Sequence, residues 1–322
     1  MGFVRNKNYK EMRAESNQPA KLYATAKTHK FEDLNDITVE NLKFRPIIDQ
    51  TGTFTYNAAK VIGDYLRPLC KNQYNISDTQ EFLKLIKELP PLNDDEQYVS
   101  YDVDSLFTNI PLKETINHIL DEIYDNKKLQ PICNRLIFKR LLYKLTTDCT
   151  FQFNQKFYKQ TDGCSMGGPL SVILSDIWMT KMENEIVIPK QPKFYKRYVD
   201  DIINRRKINE PDELFHDLNN FHNNINLTIE VNPTKFLDTK LSIINGKVST
   251  SVNRKTTKLP VPWSSRIPKR YKRNAIIGDL HRSKRTLRLQ TLAVILTVSY
   301  VNNHGLKMRI MMRWMITKLL FK

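Results

Sequence analysis

Residues 194–206 read FYKRYVDDIINRR, and the fold turns on how this stretch is understood. Apolar residues flank a tight acidic step at Val199, Asp200 and Asp201, a pattern of two short strands joined by a turn. Two adjacent aspartates at a hairpin tip repel each other unless a cation neutralises them. Taken alone, such a pair is most often a solvated turn.

Two earlier stretches change that reading. In SYDVDSLF (100–107) an alternating strand puts Ser100 and Asp102 on one face and Val99, Tyr101 and Val103 on the other. The apolar set packs inward and Asp102 emerges near the strand end. GCSMGGPLS (163–171) holds three of the nine glycines, in a turn that lets backbone approach a flat ligand before a helix begins. Each piece has a plain alternative: Asp102 as a cap on the following turn, Gly-Gly-Pro as an ordinary loop. In this order they describe a chemistry. Asp102 and Asp200, meeting on neighbouring strands, would hold two magnesium ions roughly 3.5 to 4 Å apart, clamping the attacking and leaving oxygens of phosphoryl transfer. No set of histidines or cysteines in the chain competes as a metal site.

Around these stretches the pattern alternates helix and strand. KLYATAKTHK (21–30) and KFRPIIDQ (43–50) read as strand or loop. Ala58, Ile62, Tyr65, Leu66 and Leu69 mark one helix face, and Phe82, Ile86 and Leu89 another, opened by a capping box from Ser77 to Gln80. Further helices are predicted at 111–126, at 132–147 through Leu136, Ile137, Leu141 and Leu145, and at 171–186 with Ile173, Ile177, Trp178 and Met182 on one side. A hairpin is predicted at 150–160 and a helix at 212–225. Strands follow over 226–252, where Asn245-Gly246 is a strong hairpin turn signal.

The 322 residues, 40% hydrophobic and 26% charged, suffice for a packed core and exclude a disordered chain. Charge is the informative imbalance: residues 253–322 carry +16 of the net +17, with Asp279 their one acid. A balanced body followed by a basic end points to a body that does chemistry and an end that holds a polyanion. Cys70, Cys133, Cys149 and Cys164 show no zinc-site spacing, so a reduced, intracellular protein is expected. The polar start carries no signal peptide pattern, and the longest apolar run (291–301) is shorter than the ~20 residues of a spanning helix, so no membrane is expected as a partner.

The three acidic and glycine-rich stretches resemble those of reverse transcriptases, most closely those of Penelope-like retroelements, relatives of telomerase. SYDVDSLFTNIP resembles motif A of that family, QTDGCSMGGPLSVILSDIWM (160–179) its motif B and KRYVDDI (196–202) its motif C. KLYATAKTHK and FRPI resemble its fingers segments, KFLDTKL (235–241) its primer-grip hairpin and RKTTKLPVPWSSRIPKRYKRN (254–274) the start of its thumb. The resemblance covers about residues 20–285.

It implies an α/β (α+β) fold of right-hand polymerase type: N-terminal region and fingers at 1–97, a palm with a small antiparallel sheet at 98–252, a basic partial thumb starting at 253–285, and an atypical basic tail at 286–322, truncated or frame-shifted. The implied activity is RNA-directed DNA synthesis from dNTPs on an RNA template with a DNA primer, using two Mg2+ ions for which Mn2+ can substitute. Asp102, Asp200 and Asp201 become the catalytic carboxylates and metal ligands, with Asp201 the least direct ligand. Phe107 falls where the family keeps an aromatic under the sugar, excluding a 2′-hydroxyl, although an ordinary core phenylalanine is its plain alternative. Met166 and Gly167 would line the templating-base pocket. Lys27, Lys30 and Arg45 would meet the triphosphate, or else form a solvated surface. Phe236, Leu237, Arg254, Lys255, Lys269, Arg270, Lys272 and Arg273 would contact nucleic acid.

The sequence departs from the family pattern at Gly168, where serine is usual, and at Val172, where proline is. Nothing in it resembles the GIY-YIG endonuclease the family commonly appends. The alternative function is a catalytically dead nucleic-acid-binding remnant that keeps the palm. An RNA-dependent RNA polymerase shares the palm logic, but Phe107 argues against it. KRYKR (269–273) is either a nuclear signal, which with the cysteine reading gives a nuclear, intracellular location, or a backbone-phosphate contact, the reading favoured here.

Overall fold

The computed structural model describes residues 10–14, 16, 18–27, 34–147, 150–161, 163–253, 265–274, 277 and 278. They form two compact units, one drawn from within Met1–Lys27, Thr38–Asn75 and Glu96–Asn232, the other from within Thr28–Ile37, Ile76–Asp95 and Pro233–Lys322.

The first unit holds two four-stranded sheets. One contains β1 (Ala20–Ala26), β2 (Phe44–Asp49), β4 (Thr150–Phe153) and β5 (Lys156–Lys159) in the order β2-β1-β4-β5. The other contains β3 (Glu96–Val103), β6 (Phe194–Tyr198), β7 (Asp201–Lys207) and β8 (Leu227–Val231) in the order β6-β7-β3-β8, all antiparallel. β3 lies between two neighbours and is buried along most of its length, and its Val99, Tyr101 and Val103 are at most 2% exposed.

Helices cover the apolar face of that sheet. α1 (Tyr56–Leu66) buries Ala59, Ile62, Gly63 and Leu66, then tightens into a 3₁₀ turn at Arg67–Cys70, where Pro68 is tolerated because an opening turn needs no N–H there. α3 (Leu112–Leu120) buries Ile116 and Ile119 and continues as a π-helical turn at Asp121–Asp125. α4 (Arg135–Thr147) presents Phe138, Leu142 and Leu145 to the core, leaving Leu136 and Ile137 more than half exposed, contrary to the face expected from sequence. The edge of the Tyr65 ring against Phe138, centroids 5.9 Å apart, fixes that rotation. α5 (Ser171–Met182) is buried nearly all round rather than on one side, since Leu174, Ser175, Met179 and Thr180 join the expected residues. A helix buried nearly all round belongs in the middle of a core.

In the second unit α2 (Thr79–Glu88) packs Phe82 onto Phe236, ring centroids 4.7 Å apart. Its N-cap is Asp78, which accepts from the N–H groups of Gln80 and Glu81, while Ser77 bonds Glu81. The expected capping box is thus displaced by one residue, because a carboxylate accepts two helix N–H bonds better than a hydroxyl. β9 (Lys235–Phe236), β10 (Thr239–Ile244) and β11 (Lys247–Val252) form an antiparallel sheet ordered β11-β10-β9. Asn245 (φ 50°) and Gly246 (φ 72°) make the predicted turn between β10 and β11, both left-handed as a two-residue hairpin requires. Among the described residues no helix is long and apolar enough to cross a membrane.

Candidate active site

The β6–β7 hairpin closes through Val199 and Asp200, with Tyr198 paired to Asp201. Val199 takes φ +57°, a left-handed conformation costly for a β-branched residue. β3 lies alongside β7 in a register that sets Asp102 directly opposite Asp201, so both side chains leave the sheet on one face with their Cβ atoms about 5 Å apart. Asp200 joins them from the turn, where its carbonyl accepts the N–H of Val103 at 3.3 Å. Asp102 is exposed, Asp200 and Asp201 half-buried.

Burial pushes the Asp200 carboxyl above its ordinary value, and the positive charges of Arg45 and Arg197 act in the opposite direction. The strand end therefore carries a partly desolvated carboxyl at the turn next to the paired Asp102 and Asp201, hard oxygen groups of the kind a divalent cation takes. Among the described residues no three His, Cys, Asp or Glu side chains form a ready-made cage for a metal ion. Magnesium seldom needs one. It takes one or two carboxylates and completes its shell with water and other oxygen ligands, so the chemistry of Asp102, Asp200 and Asp201 fits such an ion.

The glycine loop binds this corner to the β1–β2 sheet. Gly163 has φ +63°, and a Cβ there would lie 2.2 Å from the Thr108 carbonyl oxygen. That closeness lets the Cys164 N–H donate to the Phe107 carbonyl at 2.6 Å. On the other side Ile48 N–H donates to the Met166 carbonyl at 2.8 Å, and a Cβ on Gly167 (φ +111°) would come within 2.6 Å of the Ile48 carbonyl oxygen. The buried Gln50 donates to Ser165 Oγ at 2.7 Å, and a Cβ at Gly168 would meet Gln50 Oε1 at 2.9 Å. Gln50 thus occupies the space beside the glycine that stands where the resemblance expects serine.

The other expected residues divide three ways. Phe107 is half-buried in the short turn Leu106–Asn109, tied to the glycine loop through its carbonyl, and is not one of the fully buried core rings. Arg45 is exposed on β2, and Lys27 is half-buried just beyond β1, its N–H donated to the Lys43 carbonyl at 2.8 Å. Lys269, Arg270 and Arg273 are exposed in the second unit, and Leu237 is half-buried at a left-handed turn position (φ +53°).

Two expectations need correction. Phe236 is 4% exposed against Phe82, a core ring rather than a surface contact. Lys272 is 8% exposed and its ammonium donates to the Ser265 carbonyl at 2.5 Å, so its charge is held inside the unit rather than presented to a polyanion. Lys30, Arg254, Lys255 and the tail 286–322 lie outside the described residues. Sequence reasoning missed Gln50 and Arg197. The only signal for the second is its place two residues before the left-handed turn.

A family model described as reverse transcriptase (RNA-dependent DNA polymerase) matches residues 37–259. Among solved structures the chain is similar to a telomerase from Candida albicans in complex with a fragment of telomeric RNA (11% identity, TM-score 0.53, 93% of this chain and 58% of that one). It is similar also to an apo telomerase from Candida tropicalis (13%, 0.51, 94% and 61%) and to an RNA-dependent RNA polymerase of a human picobirnavirus in which an insertion loop is deleted (10%, 0.54, 83% and 54%). At such identities the likeness is one of fold, a mixed α/β architecture shared with right-hand polymerases. The chain spans little more than half the length of these structures. No curated protein matches the sequence.

Proposed function

Because the chain belongs to the reverse transcriptase (RNA-dependent DNA polymerase) family, we propose that it extends a DNA primer on an RNA template and that it derives from a Penelope-like retroelement. The observation that carries the reading is the register of β3 and β7, which sets Asp102 opposite Asp201 at the foot of the turn holding Asp200. Three carboxylates at one strand end, a half-buried aromatic five residues after the first, and a pinned glycine loop are the parts that templated nucleotide addition needs.

In this reaction the primer 3′-oxygen bonds to the α-phosphorus of a dNTP, the bond to the β-phosphate breaks, and pyrophosphate leaves. Asp102, Asp200 and Asp201 would hold the divalent ions, Mg2+ or in its place Mn2+, which when bound would supply Lewis-acid activation of the primer hydroxyl and charge neutralisation on the phosphates. Arg45, already close enough to act on Asp200, offers a forked donor to triphosphate oxygens. Phe107 lies under the incoming sugar and leaves no space for a 2′-hydroxyl. Met166 and Gly167 floor the templating base, with Gly167 letting the loop lie close against the Ile48 backbone of β2. No side-chain nucleophile is required.

Primer extension on an RNA template, with Mg2+ or Mn2+, tests the proposal. The full chain should incorporate dNTPs and Asp200→Asn should not. A parent that binds the hybrid but never extends it under either ion is a nucleic-acid-binding remnant, and the proposal then fails.

A further inference from the structure

Arg197 is 1% exposed, yet it sits on the strand that leads directly into the acidic turn. A guanidinium has five N–H donors, and here all are engaged. Nε donates to Glu183 Oε1 at 2.6 Å, and Nη2 to Asn75 Oδ1 at 2.6 Å and Glu183 Oε2 at 3.2 Å. Nη1 donates to Asp176 Oδ1 at 3.0 Å and to the carbonyl of Val199 at 2.9 Å. The Arg197 backbone N–H is taken by the Tyr74 carbonyl at 2.9 Å, and Glu183 is steadied from its other side by Asn72 at 2.5 Å. The side chain is thus anchored to α5, to the π-helical turn after it (Glu183–Val187) and to the loop 72–75 before it reaches the hairpin.

A buried arginine with two acids is a poor way to gain stability, since apolar side chains of similar volume commonly do as well. What an apolar side chain cannot do is donate to a main-chain carbonyl. The Val199 carbonyl belongs to the peptide plane preceding Asp200, and the Asp200 carbonyl, bonded by Val103 N–H at 3.3 Å, belongs to the plane following it. Both planes flanking Asp200 are therefore held, one by Arg197 and one by β3. With both fixed, the direction of its Cα–Cβ bond is fixed as well, even though Val199 occupies a backbone region it would leave if released.

We infer that Arg197 is a positioning residue: from a buried, fully engaged guanidinium it bonds the Val199 carbonyl and thereby sets the direction in which Asp200 presents its carboxylate. The inference rests on the proposed role of Asp200 and deepens it. It also separates geometry from charge. Arg197→Lys keeps the cation but has a single ammonium that cannot serve Glu183, Asn75, Asp176 and Val199 together.

The test measures Mn2+ binding to the full chain by paramagnetic resonance, and the kcat and dNTP KM of primer extension, for the parent, Arg197→Lys, Asp200→Asn and the core control Leu142→Ala. Arg197→Lys, folded by circular dichroism, should bind Mn2+ about tenfold more weakly, the size expected for losing one charge-assisted hydrogen bond. Its kcat should fall with little change in KM. Leu142→Ala should melt earlier yet bind Mn2+ as the parent does, which a merely structural role for Arg197 would require of Arg197→Lys also. If Arg197→Lys does not fold, Asn75→Ala, which removes one acceptor of the guanidinium (and the Asn75 Nδ2 bond to the Cys70 carbonyl) while leaving Arg197 and Val199 themselves unchanged, should weaken Mn2+ about threefold on the same scale. Parent-like Mn2+ binding and kcat in a folded Arg197→Lys, or in Asn75→Ala where that serves, overturn the inference provided Asp200→Asn loses both. If Asp200→Asn keeps both, it is the catalytic reading that has failed.

Discussion

Asp200 is held partly out of water with its carboxyl pushed up by burial, so without a cation it is a cost to the folded chain. Asp200→Asn should therefore leave the melting temperature of the metal-free protein unchanged or higher, while extension is lost. A clear fall in metal-free stability would mean the carboxylate is a structural partner. Phe107 poses a different question. A fully buried phenylalanine replaced by alanine loses ~3 to 5 kcal/mol, but Phe107 is only half-buried, so Phe107→Ala should cost less than this and should raise ribonucleotide use relative to deoxynucleotide use. Competing the two nucleotide types in one extension assay decides it, and an unchanged preference in a folded variant removes the gate. At this scale the sequence points to Asp102 and Phe107 within one short stretch and to Asp200 within another, because each stretch carries its own local pattern. It hid Arg197, whose partner Asn75 lies 122 residues away and whose burial no local pattern shows, and it mistook Phe236 and Lys272 for surface groups, since no residue type announces that it is covered.

The glycine loop behaves as a single element pinned at both ends, and its glycines are not equivalent. At Gly167 both the left-handed backbone and the Ile48 carbonyl oppose a side chain, whereas at Gly168 the obstacle is the end of the Gln50 side chain, which can shift. Gly167→Ala should thus lose about 1 to 3 kcal/mol of stability, the usual cost of a strained backbone position, and most of its extension activity. Gly168→Ala should lose less of both. Thermal unfolding and extension rates of the two variants check the order, and the reverse order would mean that the loop is not held against β2. Strands and turns were the legible elements: the acidic hairpin and the Asn245-Gly246 turn stand where local chemistry puts them. Helix faces were less legible. Periodicity shows that α4 is amphipathic, but the Tyr65 ring chooses Phe138 over Leu136 and Ile137, and α5 has no polar side to read.

For the molecule as a whole, charge is the strongest asymmetry. The exposed Lys269 and Arg273 belong to the basic stretch, the buried Lys272 only to its composition. Neutralising Lys269 and Arg273 together should lower the salt slope of affinity for an RNA–DNA hybrid by up to about two, at roughly 0.9 per lost phosphate contact on a B-form duplex and less on other forms. Lys272→Met should leave the slope unchanged. Affinities across a salt series report this, and parallel lines for the double variant and the parent would mean that these side chains do not touch the backbone. Net charge points to where a polyanion would go, but summed charge cannot distinguish a presented lysine from a held one.

The second unit is assembled from stretches made at different times. Phe236 follows Phe82 in the chain by 154 residues, so at roughly 5 to 20 residues per second the ribosome delivers the β9–β10 hairpin about 8 to 30 s after α2. Until then Phe82, buried in the finished unit beside Leu83 and Ile86, lacks its ring partner Phe236. Nascent chains arrested with residue 231 just outside the exit tunnel should be cut by protease within 79–88, and those released past 252 should resist. Equal resistance in both would show that α2 finds shelter before its partner exists. During synthesis, then, this short helix is where a holding chaperone has the most to protect.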